Sequence, residues 1–234
     1  MTEAKKHLVA LHGAGMHGGV WGAIAPQLSG SCYFRALSLP GHDPLLRGEL
    51  LATIGDMAAW VKGKLDDASP ARVILMGHSM GAAVALEAAG HPLVDAVILM
   101  GAAPLMPVNK ALLQQAEQDP AGAAGMILKW GVAQADESTT DFLKSVMEKP
   151  LPAALSADLK ACQDWVSGEA DAASLKKPAL VIAGEKDKLT PAKEGQRLAG
   201  LIAGASFALL PCGHMMMVER PAETVNEIRR FLGG

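Results

Sequence analysis

The chain has 234 residues, a size that suits one large α/β domain or a domain with a modest insertion. Half of its residues are hydrophobic, enough for a full core, and a net charge of -3 argues against nucleic acid as a partner, because phosphates call for a basic surface. No run of about 18 apolar residues occurs, so no membrane span is expected. The N-terminus is charged and only Leu8–Leu11 behind it is apolar, too short for a signal peptide. The resulting expectation is a soluble cytoplasmic protein.

Short apolar runs alternate with helix-forming sequence. The first strand is expected at His7–Leu11, followed by the glycine-bearing His12-Gly13-Ala14-Gly15 and a helix over Val20–Leu28. A second strand reads at Tyr33–Leu39 and a helix at Ile54–Asp67. The third strand, Arg72–Met76, runs into Gly77-His78-Ser79-Met80-Gly81 and then the helix former Gly81–Ala89. A fourth strand is expected at Val94–Met100. From residue 103 to 175 no strand is convincing; five prolines separate Ala- and Lys-bearing pieces, and so long an interval reads as a helical insertion of two to four short helices. Strands then return at Ala179–Ala183 and Ser206–Leu210, with helices at Lys193–Leu201 and Ala222–Phe231. Strand–helix alternation implies a parallel sheet with right-handed crossovers and helices on both faces.

The G-x-S-x-G pentapeptide carries the first chemical signal. With 25 glycines in the chain, the pattern arises by chance in roughly one such sequence in ten, so its surroundings decide. A strand before it and a helix after it would hold Ser79 at the tip of a sharp turn, above a helix N-terminus that favours negative charge. A serine nucleophile needs a base, and the base needs an orienting carboxylate. His214 follows the last strand, and Asp187 follows the one before, with Glu185 a rival two residues away. All leave the C-terminal edge of a parallel sheet, where sites in such sheets form. The oxyanion of a tetrahedral intermediate needs N–H donors, which the amides of Ala14 and Met80 would supply.

Other chemistry is disfavoured. Cys32, Cys162 and Cys212 are odd in number and widely spaced, so they make neither a disulfide framework nor a zinc set. The histidines are scattered and no metal is implied. Gly13, Gly15 and Gly18 fit a dinucleotide fingerprint, but the second strand ends without the acidic residue such a site requires, and no cofactor is expected. His17 is a candidate for the pocket mouth, with solvent exposure the alternative, and Trp130, Trp165 and Met215 are candidates for pocket lining or packing. His12 is read as a residue that fixes its loop, and His78 as packing under the elbow. The expected partner is a small-molecule substrate, and nothing in the sequence demands an oligomer.

The sequence resembles the α/β-hydrolase superfamily, in its serine esterase and lipase-like branch with a helical cap. The resemblance spans nearly the whole chain. It rests on H-G-A-G at 12–15, Trp21, L-P-G-H at 39–42, G-H-S-M-G at 77–81, G-E-K-D at 184–187 and G-H at 213–214, in the family's order. It implies a core of residues 1–102 and 176–234 with a cap at 103–175, a Ser79–His214–Asp187 triad rather than one using Glu185, and Ala14 as an oxyanion donor. Two departures are visible. The family's two leading strands are missing ahead of H-G-A-G, so a mostly parallel sheet of about six strands is expected. Ser38 stands where relatives usually carry an acidic residue, a position more often structural than catalytic. The expected activity is hydrolysis of a small or medium carboxylic ester through an acyl-enzyme. Hydroxynitrile lyase, carbon–carbon bond hydrolase and perhydrolase reactions on the same triad are alternatives, as is a ligand-binding receptor with vestigial hydrolysis. Haloalkane dehalogenase is disfavoured, because that enzyme's nucleophile is an aspartate where Ser79 stands.

Overall fold

A computed structural model describes residues 5–45, 48–67, 71–134 and 136–233. Six strands, β1 (Lys6–Leu11), β2 (Cys32–Leu37), β3 (Val73–His78), β4 (Val94–Met100), β5 (Ala179–Gly184) and β6 (Ser206–Leu210), form one sheet. Their order is β2-β1-β3-β4-β5-β6, and every neighbouring pair is parallel. Parallel strands need crossovers, and these carry helices: α1 (Ala25–Leu28), α2 (Ile54–Asp67), α3 (Met80–Ala88) and α9 (Ala192–Leu201), while α10 (Met216–Glu219) and α11 (Pro221–Leu232) follow the last strand. Between β4 and β5 lie α4 (Lys110–Gln118), α5 (Pro120–Gly131), α6 (Glu137–Met147), α7 (Ala154–Asp164) and α8 (Gly168–Ser174).

The period-2 alternation of the strands sorts the core into two layers. Leu8, Ala10, Ile74, Met76, Ile98 and Ile182 point to the side covered by α1 and α11. Val9, Leu11, Leu75, Val97, Leu99 and Val181 point to the side covered by α2, α3 and α9. The central strands β3 and β5 are buried at every residue, as a strand covered on both faces must be. Among the described residues no helix is long and apolar enough to cross a membrane.

The segment around Val20–Leu28 departs from the expected single helix. It is a 3-10 turn at Gly18–Ala23 followed by the one-turn α1. Pro26, with no N–H to donate, sits in the first turn of α1 and breaks the continuity. The interval after β4 holds five helices rather than two to four. Asp119 ends α4 and caps α5 by accepting from the N–H of Gly122, while Pro120 opens α5, so one helical stretch becomes two. The last of the five, α8, packs against α3 and α9 beside the sheet.

Strand order reverses between β1 and β3, since the chain steps one way to β2 and the other way through β4 to β6. The loops leaving β1 and β3 therefore diverge and leave a crevice at their C-terminal ends, the place where open α/β sheets hold ligands.

Candidate active site

Ser79 occupies the turn between β3 and α3. Its φ of 53° is in the left-handed region, and it has the only positive φ of any non-glycine residue among those described. That strain holds because the surroundings fix it from both sides. The Ser79 N–H donates to Met100 O at 2.8 Å, and its carbonyl accepts from Ala82 N–H at 2.8 Å. A methyl group on Gly77 would collide with the Gly81 carbonyl, and one on Gly81 with the backbone of Leu11 and His12. The elbow thus requires glycine at both ends. The Ser79 hydroxyl makes no capping bond to its own helix.

Beside it runs the loop after β1. His12 is fully buried; its Nδ1 donates to Gly13 O at 2.9 Å and its Nε2 accepts from Leu39 N–H at 3.0 Å. Burial, with the neighbouring His42 charge, lowers its pKa to about 3, so the ring stays neutral and works as a brace. Ser38 also serves the backbone, accepting from Gly18 N–H at 3.0 Å. The N–H groups of Ala14 and Met80 have no hydrogen-bond partner among the described residues. Met80 opens α3, where the first amides lack intrahelical acceptors, while its side chain is fully buried in the core.

The loops after β5 and β6 bring Asp187 to His214. Asp187 Oδ2 accepts from His214 Nδ1 at 2.6 Å, and Oδ1 accepts from the N–H groups of Leu189 and Thr190, both at 2.8 Å. Burial pushes the Asp187 carboxyl up, but the charge and hydrogen bond of His214 and the two amides outweigh it, leaving it below the usual carboxylate range. Glu185, the rival acid, is exposed. His78 Nε2 donates to the His214 carbonyl at 2.9 Å.

Glu219 is a residue that sequence reasoning missed. Its Oε1 accepts from Gly213 N–H at 3.0 Å and Met215 N–H at 3.3 Å, on either side of His214. Its Oε2 accepts from Ala133 N–H at 2.9 Å and Gln134 N–H at 3.0 Å, just past α5. One buried carboxylate thus joins the His214 loop to the helical segment. No local motif announces it, because two of its four donors lie more than 80 residues away.

Ala14, Ser79 and His214 line one cavity of about 760 Å³. Its walls are mostly apolar and include Met16, Leu112, Ile127, Leu159 and Leu189. Trp130 and Met215 also line it. Trp165 does not; it is packed in the core with Nε1 donating to Glu87 at 3.1 Å. His17 is not at the cavity either. It is buried, and its Nδ1 accepts from Gly19 N–H at 3.0 Å, capping the 3-10 turn. The polar ring found a local backbone donor, which a scan for pocket residues does not anticipate.

A parallel sheet with a strained serine turn at its switch point, and a buried Asp–His pair whose histidine lines the same cavity as the serine, has the layout of the α/β hydrolases. The sequence profile of the Alpha/beta hydrolase family matches residues 8–228, and the chain belongs to that family. It is 26% identical over 240 residues to the pimeloyl-[acyl-carrier protein] methyl ester esterase of Nitrosomonas europaea, covering 94% of this chain and 92% of that one. It is 29% identical over 232 residues to the protein of the same name from Edwardsiella ictaluri, covering 92% and 84%. The enol-lactonase from Burkholderia xenovorans LB400 superposes with a TM-score of 0.91 at 21% identity, over 99% of this chain and 93% of that one. Within the family the chain is a carboxylic ester hydrolase.

Proposed function

We propose that this protein cleaves small or medium aliphatic esters through an acyl-enzyme on Ser79. The observation that carries the reading is the 2.6 Å bond to Asp187 from Nδ1 of His214, a residue that lines the same cavity as Ser79. With Nδ1 committed to the carboxylate, Nε2 is the nitrogen left to act as base.

Ser79 Oγ attacks the ester carbonyl while His214 Nε2 takes its proton. Asp187 holds the tautomer and stabilises the imidazolium that forms. The Ala14 and Met80 amides, which have no hydrogen-bond partner among the described residues, receive the oxyanion. The alcohol leaves with the proton from His214, and a water activated by the same nitrogen cleaves the acyl-enzyme. The helices between β4 and β5 act as the cap, with Leu112, Ile127 and Leu159 forming the acyl wall. The apolar lining supports an aliphatic acyl group, and two relatives named as methyl ester esterases support a small alcohol.

A panel of methyl and p-nitrophenyl esters of graded acyl length tests this. The expected profile favours short to medium aliphatic chains and disappears in Ser79→Ala. Turnover restricted to bulky aromatic acyl groups would contradict the substrate class, and undiminished turnover in Ser79→Ala would contradict the nucleophile.

A further inference from the structure

One buried carboxylate of the helical segment reaches the loop after β1. Asp158, on α7, is 1% exposed. Its Oδ2 accepts from the N–H of Gly15 at 2.8 Å and from His42 Nε2 at 2.8 Å. His42 Nδ1 lies 3.0 Å from Pro40 O, an atom that can only accept. Both ring nitrogens therefore donate, which makes the ring an imidazolium. Burial alone would lower the His42 pKa, but the hydrogen bond and charge of Asp158 outweigh it and raise the value. An isolated carboxylate at this depth would be costly, and His42 offsets that cost.

The tie lands next to Ala14. Anchoring the Gly15 N–H fixes the peptide plane that follows Ala14 and restricts how the Ala14 amide can turn. The same helix supplies Leu159 and Cys162 to the cavity wall. A second link, Leu151 N–H to Gly41 O at 2.9 Å, joins the loop bearing His42 to the segment leading into α7. The geometry points to Asp158 as a positioning residue: paired with His42, it aims the Ala14 amide at the developing oxyanion and so makes oxyanion stabilisation depend on the seating of α7. The inference rests on the reading of Ser79 as nucleophile and Ala14 as oxyanion donor given above.

The test compares Asp158→Ala and Asp158→Asn with the wild type. Folding is checked by circular dichroism, turnover with a short-chain p-nitrophenyl ester, and inhibition with an alkyl boronic acid, which adds to a serine as a tetrahedral anion. Removal of a whole oxyanion donor costs about 100- to 1,000-fold, so mispositioning one in Asp158→Ala should lower kcat by about 10- to 100-fold. The boronate affinity should fall by a similar factor while KM stays within about threefold. Asp158→Asn keeps an oxygen for the Gly15 N–H and should recover part of the loss. Unchanged kcat and boronate affinity in a folded variant would overturn the proposal, and so would a loss confined to KM, which would make Asp158 part of the wall only. Failure of both variants to fold would reassign it to the scaffold. Wild-type protein that a fluorophosphonate does not label at Ser79 would sink the underlying reading and this proposal with it. A labelled wild type with an unaffected variant sinks this proposal alone.

Discussion

His78 Nε2 donates to the backbone carbonyl of His214 at 2.9 Å, and the two rings stand 4.6 Å apart. The residue before Ser79 thus holds the main chain of the proposed base. Burial, helped by the charge of His214, lowers the pKa of His78 to about 3, so the ring stays neutral with its proton on Nε2.

This predicts acid sensitivity with a definite sign. In the unfolded chain His12 and His78 take up protons as pH falls below 6.5, but in the fold they resist until about pH 3. The unfolded state binds more protons across that window, so stability falls as pH falls through it, by at most about 1.4 kcal/mol per pH unit for each group. His78→Gln should flatten the decline. Urea midpoints measured between pH 7 and pH 4 check this, and parallel slopes for variant and wild type would contradict it.

Asp187 should matter for turnover more than for binding. Asp187→Asn keeps the shape but leaves His214 able to adopt the wrong tautomer, and kcat should fall by about 10,000-fold with KM little changed. Steady-state kinetics on an activated ester decide it. A loss below about tenfold would point to another acid, Glu185 being the nearest in sequence.

Glu219 should contribute to both stability and rate. Glu219→Gln replaces a carboxylate that accepts four N–H donors with an amide that has one oxygen. Two donors, at Gly213–Met215 or at Ala133–Gln134, lose their acceptor. The expected cost is about 2–3 kcal/mol, read by denaturant midpoint, with a drop in kcat as the His214 loop loosens. An unchanged midpoint would mean that the loop is held by other contacts, such as His214 N–H to Gly131 O.

The readability of this chain follows the range of each interaction. β4 and β6 fall at Val94–Met100 and Ser206–Leu210, as their apolar runs predict, because burial against flanking layers depends on local pattern. The Ser79 turn was legible since strand, glycines and helix are contiguous in sequence, from Val73 to Ala88. Asp187 and His214 were legible as residues following consecutive strands, and the spatial link between them came from topology. The helical segment resisted, because the Asp119–Pro120 break and the docking of α8 beside the sheet depend on capping and on distant partners. Asp158 and Glu219 were invisible for the same reason: each meets backbone N–H groups far away in the chain, at Gly15 and at Ala133–Gln134. His17 is neither at the pocket mouth nor in solvent, the two readings its sequence position allowed, because a local backbone donor, Gly19, captured its ring.

The central claim is that Ser79 is the nucleophile and His214, oriented by Asp187, its base. The direct measurement is intact-protein and peptide mass spectrometry after treatment with a fluorophosphonate, in which Ser79 Oγ bonds to phosphorus and fluoride departs. The account predicts one adduct per chain on the peptide containing Ser79, abolished in Ser79→Ala and strongly slowed in His214→Ala. An adduct on another residue, or labelling that persists at full rate in Ser79→Ala, would contradict it.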